Sequence, residues 1–469
     1  MNRKEKADIA MAGLGVMGAN LARNMKSRGF SVAVFDTDEK KTAALAEEGF
    51  LPAESLRELA GLLETPRKIF MMVPAGEPVD MLVSKLSPLL SPGDILIDGG
   101  NSNFKDTDRR VAEAEKAGLL YVGCGVSGGE KGALTGPSMM PGGSKAAWPL
   151  VRPVLTAVCA KTPDGIPCCS WMGEGGAGHF VKMVHNGIEY GDIQLICESY
   201  DILRKALHLS NEEMSGIFSG WNRTGLESYL IEITGKILAH KEPDGIYTVD
   251  RILDRAGQKG TGKWTGMTAL EEDVSLNLIT EAVSARFLSA RKKEREALSA
   301  LYPKKIPPFE GDKEAFIEKL QKALYTAKLF SYAQGFDLLR AASVHYGWQP
   351  DYAGIARSWE GGCIIRSAFL SEIRKAYEKD PALPGLLCDG YFRQRTADGI
   401  ASLREVTSYA VLAGIPVPAF SAGLAWFDGS TDAGLPANLL QAMRDFFGAH
   451  TYERTDRPEG MFFHTDWQA

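Results

Sequence analysis

The stretch AMAGLGVMGANLARNM, residues 10–25, constrains this chain more than any other. An apolar run over Asp8–Gly13 has the length of a strand, and the residues after it carry a helical period. Between the two stand Gly13, Gly15 and Gly18, spaced G-x-G-x-x-G. The first glycine permits a tight turn, the second lets a pyrophosphate approach the backbone, and the third lets helix and strand pack closely. The helix N-terminus then stabilises phosphate charge. A second strand, Ser31–Phe35, runs into Asp36, where an acid accepts hydrogen bonds from a ribose and repels a 2′-phosphate. Gly13, Leu14, Gly15, Val16, Met17 and Gly18, with Asp36, Thr37 and Asp38, therefore read as one half of a dinucleotide site.

Further strands are expected over Lys68–Val73, Asp94–Asp98 and Leu120–Val122, with intervals long enough for crossover helices. Such alternation predicts βαβ units on a parallel sheet, a Rossmann-type domain over residues 1–177. Val73-Pro74-Ala75 and the loop bearing Asn101 follow strands, so both open at the carboxyl edge, where ligands bind in such sheets. Ser127, Gly128 and Gly129 form a glycine-rich loop able to present N–H groups to an anion.

From 178 to 434 helix-period segments dominate, and residues 435–469 form an aromatic, charged tail. At 469 residues the chain exceeds one ordinary core, which agrees with two or three domains. The helical zone repeats itself. FVKMVHNGIEYGD lies against TAKLFSYAQGFD with Lys182 on Lys328, and the segment at Trp221-Asn222-Arg223 lies against Trp359-Glu360-Gly361. Spacings of three, four and seven place Lys182, His185, Asn186 and Glu189 on one helical face. Such a stripe is either the wet side of an amphipathic helix or a row of groups aimed into a pocket. In the second copy Ser331, Tyr332 and Gly335 stand opposite His185, Asn186 and Glu189, so the first copy is specialised.

Charge and cysteine usage exclude several classes. A net charge of −6 argues against a general nucleic-acid surface. No run of about 18 apolar residues offers a membrane span, and the N-terminal residues are unlike a signal peptide. The seven cysteines show no metal-ligand spacing, and their odd number fits free thiols in a reducing cytoplasm. No metal is expected.

The stretches GLGVMGANLARNM, IDGGNSNFKDT, GVSGGEKGALTGPSMMPGG, GHFVKMVHNGIEYGDIQL, GQKGTGKWT and RDFFGAHTYER together resemble the 6-phosphogluconate dehydrogenase family, in that family's order and over nearly the whole chain. The resemblance implies oxidation of 6-phosphogluconate at C3, loss of carbon dioxide from the 3-keto acid, and protonation of the enediol to ribulose 5-phosphate. It implies that Lys182 is the general base and later an acid, and that Glu189 delivers a proton to C1. It further implies that His185 and Asn186 hold substrate hydroxyls, that Asn101 touches substrate and cofactor, and that Ser127, Gly128 and Gly129 cradle the carboxylate. Tyr190, Lys259, Thr261, Arg286, Arg444 and His450 would meet the phosphate end. Arg444 and His450 lie in a tail that, in the family, reaches the partner's site, which implies a homodimer with shared sites.

One departure bears on the cofactor. Where the family's NADP pattern has Asn-Arg-Thr, this chain has Asp36-Thr37-Asp38, and Pro74 stands where a Lys is common. With two cations missing and two carboxylates beside the ribose, NAD is the expected cofactor in preference to NADP, although Lys40 and Lys41 stand just downstream. Two other readings are another β-hydroxyacid dehydrogenase, of the 3-hydroxyisobutyrate type, and a non-catalytic dinucleotide-binding protein.

Overall fold

A computed structural model describes residues 6–467. The apolar runs form a seven-stranded sheet in the order β3-β2-β1-β4-β5-β6-β7. Its strands are β1 Ile9–Ala12, β2 Val32–Phe35, β3 Leu51–Pro52, β4 Lys68–Met71, β5 Ile95–Asp98, β6 Leu120–Ser127 and β7 Ser138–Gly143. The first six are parallel, and β7 runs antiparallel to β6. The all-parallel expectation therefore fails at one edge. β7 reads SMMPGG, whose proline and glycines conceal a strand, and its pairing extends β6 through Gly125, Val126 and Ser127. Side chains alternate across the sheet: Ile9 and Met11 enter one core, Ala10 and Ala12 the other. Both faces are thus covered, which is why these strands read as near-continuous apolar runs.

The helical zone holds two long helices, Ala177–Lys205 and Lys313–His345. Each is followed by two shorter ones, Asn211–Trp221 and Tyr229–Ala239 in the first case, Tyr352–Trp359 and Leu370–Lys379 in the second. The matched tryptophans, Trp221 and Trp359, each end the first short helix of their set. The repeats also meet directly. Ser228 and Ser367 form an antiparallel bridge, with the Tyr229 N–H donating to Arg366 O at 3.1 Å and the Ala368 N–H to Glu227 O at 2.9 Å. The duplicated unit read from the sequence is therefore present as a repeated order of elements.

The chain divides into two compact units, Met1–Gly423 and Leu424–Ala469. In the second, helix Ala437–Gly448 is followed by a two-stranded ribbon of Tyr452–Glu453 and Phe462–Phe463. Its centre is the buried Asp445 carboxylate, which accepts from the N–H groups of Thr451 and Thr465 and from the Trp467 indole, with His464 alongside. Desolvation opposes the charge of Asp445, but these donors hold its carboxyl well below the usual range. No helix among the described residues is long and apolar enough to cross a membrane.

Candidate functional site

The glycine-rich turn has the geometry its spacing demands. Gly13 has φ +98°, and a Cβ there would lie 2.5 Å from Met72 O. A Cβ at Gly18 would lie 2.0 Å from Gly13 O, so only glycine lets helix Val16–Ser27 sit against β1. Gly15, at the helix N-cap, meets nothing within 4 Å, which leaves its backbone open to a ligand. Asp36 closes the turn from the next strand: the Leu14 N–H donates to its Oδ2 at 2.6 Å and the Asp38 N–H to its Oδ1 at 2.9 Å. Burial pushes the Asp36 carboxyl up, but these N–H groups and the Lys41 ammonium, 3.7 Å away, bring it below its ordinary value. Asp38 accepts from the Lys40 N–H as the N-cap of helix Glu39–Glu47.

These residues line a cavity of about 570 Å³ with Gly13, Gly15, Asp36, Thr37, Val73 and Pro74 in its wall. Lys41 and Lys85 line it too. Lys85 carried no sequence signal, being one basic residue of the ordinary helix Glu77–Leu86. A backbone left open at Gly15, beside a fixed carboxylate, suits the pyrophosphate and ribose of a dinucleotide.

A second site lies along the first long helix. Gly125 of β6 would place a Cβ 2.4 Å from the Lys182 Cβ, so glycine there lets the helix press onto the strand. The polar stripe is thereby sealed: Lys182 is 7%, His185 0% and Asn186 9% exposed. The wet-face reading is overturned, because β6 and Trp359 cover this face. His185 Nε2 lies 3.3 Å from Ser127 Oγ, and its Nδ1 lies 3.1 Å from Asn186 Oδ1 and 3.4 Å from Lys182 Nζ. Desolvation, and then the Lys182 charge, hold the imidazole well below its normal pKa, so it is neutral. With the proton on Nδ1, His185 donates to Asn186 and accepts from Ser127. Lys182 then faces an N–H, an arrangement that suits a free amine and penalises an ammonium.

Lys182 has no ion-pair partner within 4.0 Å among the described residues. Burial lowers its pKa, against smaller opposing effects of Glu189 and Cys363. Glu189 is shifted the other way: burial raises its carboxyl, partly offset by Lys182 and Arg286. A base and an acid displaced in opposite directions on one helix face can pass protons to and from a substrate between them. Beyond Glu189, Arg286 stacks on the Tyr190 ring, 3.5 Å from its centroid. Helix Thr261–Glu271 comes equally close, since a Cβ at Gly262 would lie 2.6 Å from the Tyr190 ring. Thr261 is buried, and Lys259 is exposed on the loop before it.

The structure thus brings Ser127, Lys182, His185, Asn186, Glu189, Tyr190, Thr261 and Arg286 into one continuous neighbourhood. Gly128, at φ +119°, and Gly129 open the short helix after Ser127. Exposed Asn101 sits on the loop after β5, where a Cβ at Gly100 would lie 3.1 Å from Val73 O, so it adjoins the cofactor loop. Arg444 and His450 belong to the second unit, both exposed, one on helix Ala437–Gly448 and one just after it. Sequence reading missed Trp359, which packs its ring edge-on at 5.8 Å from His185, and Cys363 beside Lys182. Both come from the second repeat, and nothing in their local sequence announces the contact.

Two family descriptions match the chain: "NAD binding domain of 6-phosphogluconate dehydrogenase" over residues 8–173, and "6-phosphogluconate dehydrogenase, C-terminal domain" over residues 178–467. The decarboxylating 6-phosphogluconate dehydrogenase of Aggregatibacter actinomycetemcomitans is 52% identical over 467 residues, covering 98% of this chain and 96% of that protein. The Homo sapiens enzyme of the same name is 50% identical, covering 98% and 97%. Among solved structures, the Plasmodium falciparum 6-phosphogluconate dehydrogenase, described apo, with its cofactor NADP+ and with its substrate 6-phosphogluconate, superposes with a TM-score of 0.95. It is 41% identical and covers 98% of this chain and all of that one.

Proposed function

The chain belongs to the 6-phosphogluconate dehydrogenase family, and from that premise we propose that it oxidises 6-phosphogluconate at C3 and decarboxylates the product to ribulose 5-phosphate. The observation that carries this reading is Lys182: buried, without an ion-pair partner, and seven residues from Glu189 on the same face. When bound, the dinucleotide accepts the hydride leaving C3. Lys182, as free amine, takes the C3 hydroxyl proton, and as ammonium it then polarises the keto oxygen while carbon dioxide departs. Glu189, whose carboxyl burial pushes up, supplies the proton to C1. His185 and Asn186 hold substrate hydroxyls, while Ser127, Gly128 and Gly129 hold the carboxylate. Tyr190, Lys259, Thr261 and Arg286 receive the phosphate, an anion suited to charge-assisted bonds from Arg and Lys.

For the cofactor we propose NAD in preference to NADP. Support comes from the Asp36 carboxylate, whose charge is stabilised by two backbone N–H groups and so faces the ribose as a fixed anion. Lys41 is engaged with that carboxylate, which leaves Lys85 as the counterweight in the cavity wall. We also propose a homodimer in which Arg444 and His450 complete the partner's phosphate site. The exposed face of Leu439, Leu440, Met443, Phe446 and Phe447 on their helix supports this, being an apolar patch of the kind that marks an interface. Seven free cysteines support a cytoplasmic setting.

The test is a paired initial-rate assay with NAD and NADP on 6-phosphogluconate, with carbon dioxide and ribulose 5-phosphate measured directly. Reduced cofactor without carbon dioxide would sink the decarboxylating reading. A kcat/KM higher with NADP would discard the cofactor argument alone. Mixing Lys182→Met and Arg444→Ala subunits should restore activity if sites are shared, and restore none if each chain is self-sufficient.

A further inference from the structure

Behind the two loops at the carboxyl edge lies a buried guanidinium that the proposed mechanism does not use. Arg110 is 1% exposed, on helix Phe104–Lys116. Its Nη2 donates to Gly76 O at 3.0 Å and its Nε to Asp80 Oδ1 at 2.8 Å, while Nη1 lies 3.6 Å from Asp98 Oδ2. Gly76 directly follows Val73-Pro74-Ala75, and Asp80 lies in the first turn of the helix that this loop opens. Asp98 is fully buried at the root of the other loop. Its Oδ1 accepts from the Gly100 N–H at 3.0 Å, and its Oδ2 accepts from Ser102 Oγ at 2.6 Å and Tyr121 OH at 3.2 Å. Through Gly100 and Ser102 the Asp98 carboxylate thus ties the loop down on both sides of Asn101.

One turn earlier on the same helix, Thr107 Oγ1 lies 2.7 Å from Nδ1 of buried His179, three residues before Lys182. A single helix therefore touches the cofactor loop, the Asn101 loop and the base-bearing helix. The two Arg110 hydrogen bonds go to the 76–80 segment, while Nη1 makes none and holds Asp98 by charge alone, a combination that an ammonium, a point charge, does not reproduce. The Arg110 hydrogen bond is the largest influence holding the Asp80 carboxyl down at about 2.

We propose that Arg110 is a positioning residue for the reaction, clamping the 73–76 and 98–102 loops in register so that the nicotinamide end of the cofactor and Asn101 meet the Lys182 helix. The inference rests on the function proposed above. It concerns ordering of two loops; Arg110 itself touches neither substrate nor cofactor in this account.

The test uses the full-length protein and two titrations, of NADH and of 6-phosphogluconate, each followed without turnover, together with kcat and both KM values. Arg110→Met should weaken NADH binding and lower kcat, each by about tenfold or more, because small misplacements of a reacting group are costly. Substrate affinity should change less than twofold. Arg110→Lys should fail to rescue, since it keeps the charge and loses the fork. If Arg110→Met does not fold, Asp80→Asn serves instead: its partly exposed carboxylate can be neutralised, and the same split between cofactor and substrate should appear at smaller size. Equal NADH affinity and kcat in a folded variant, or full rescue by lysine, overturns the proposal while leaving the enzyme reading intact. A native chain that binds no dinucleotide at all removes both.

Discussion

Lys182 and Lys328 occupy matching points of the two long helices, both sealed from solvent, and they differ in what faces them. Lys328 Nζ meets Asp192 Oδ2 at 2.6 Å, and Tyr332 OH, which donates to Ile365 O at 2.8 Å, lies 3.5 Å from the same carboxylate oxygen. Lys182 meets a neutral imidazole and no carboxylate within ion-pair distance among the described residues. The first arrangement compensates a buried charge, and the second makes the charged form costly. Packing explains why only one copy kept the polar stripe. The second helix turns that face toward the first: a Cβ at Gly335 would lie 2.6 Å from Ile188, and one at Gly191 would lie 2.4 Å from Ser331 Oγ. A glutamate in place of Gly335 has no room. One repeat pairs its buried lysine with a carboxylate and the other leaves its lysine beside a neutral ring.

Lys182→Met should break the comparison most visibly. Activity should fall by roughly 10²- to 10⁴-fold, the usual worth of a positioned base. The melting temperature should hold or rise, since a buried unpaired amine is replaced by an apolar chain of similar length. The sign is fixed by linkage. With its folded pKa lowered, Lys182 carries more protons unfolded than folded between the two values, so the native chain gains stability as pH rises there. The thermal advantage of Lys182→Met should therefore shrink toward alkaline pH; an advantage that grows would refute the lowered pKa.

Lys328→Met should do the reverse, leaving Asp192 buried without its partner at a cost of about 3–5 kcal/mol in denaturant unfolding. Adding Asp192→Leu should recover most of that loss. A Lys328→Met protein as stable as the parent would dissolve the contrast between the lysines.

Glu189→Gln sharpens the catalytic half. In the proposed mechanism Lys182 must be neutral and Glu189 protonated, so activity should rise with pH through the first requirement and fall through the second. The substitution should lower kcat by about 10²-fold and flatten the falling limb of the pH–rate profile. Retention of that limb would assign it to another group.

The smallest effect concerns the cofactor site, where Asp36→Asn with Thr37→Arg should move kcat/KM toward NADP by about tenfold, one charge-assisted bond gained and one repulsion removed. An unchanged ratio would shift attention to Lys85.

Short-range patterns carried much of this protein. Gly18 announces the turn through a local demand, since a Cβ there would strike Gly13 O, whereas the exclusion at Gly13 comes from Met72 and Gly15 is left open. The spacing of Lys182, His185, Asn186 and Glu189 likewise settles which groups share a face, since helical period is a property of the chain itself. β7 escaped because Pro141 and two glycines mask a strand that exists only through its pairing with β6.

What the sequence by itself determined is the set of reactive groups, their order on each helix and the loops that open at the sheet edge. Burial of the stripe, the unequal partners of Lys182 and Lys328, and the Arg110 clamp were decided only by tertiary structure. The contacts that decide them, Gly125 on Lys182, Asp192 on Lys328 and Gly76 on Arg110, join residues tens to hundreds of positions apart, and pKa depends on the dielectric and charges that folding assembles around a group.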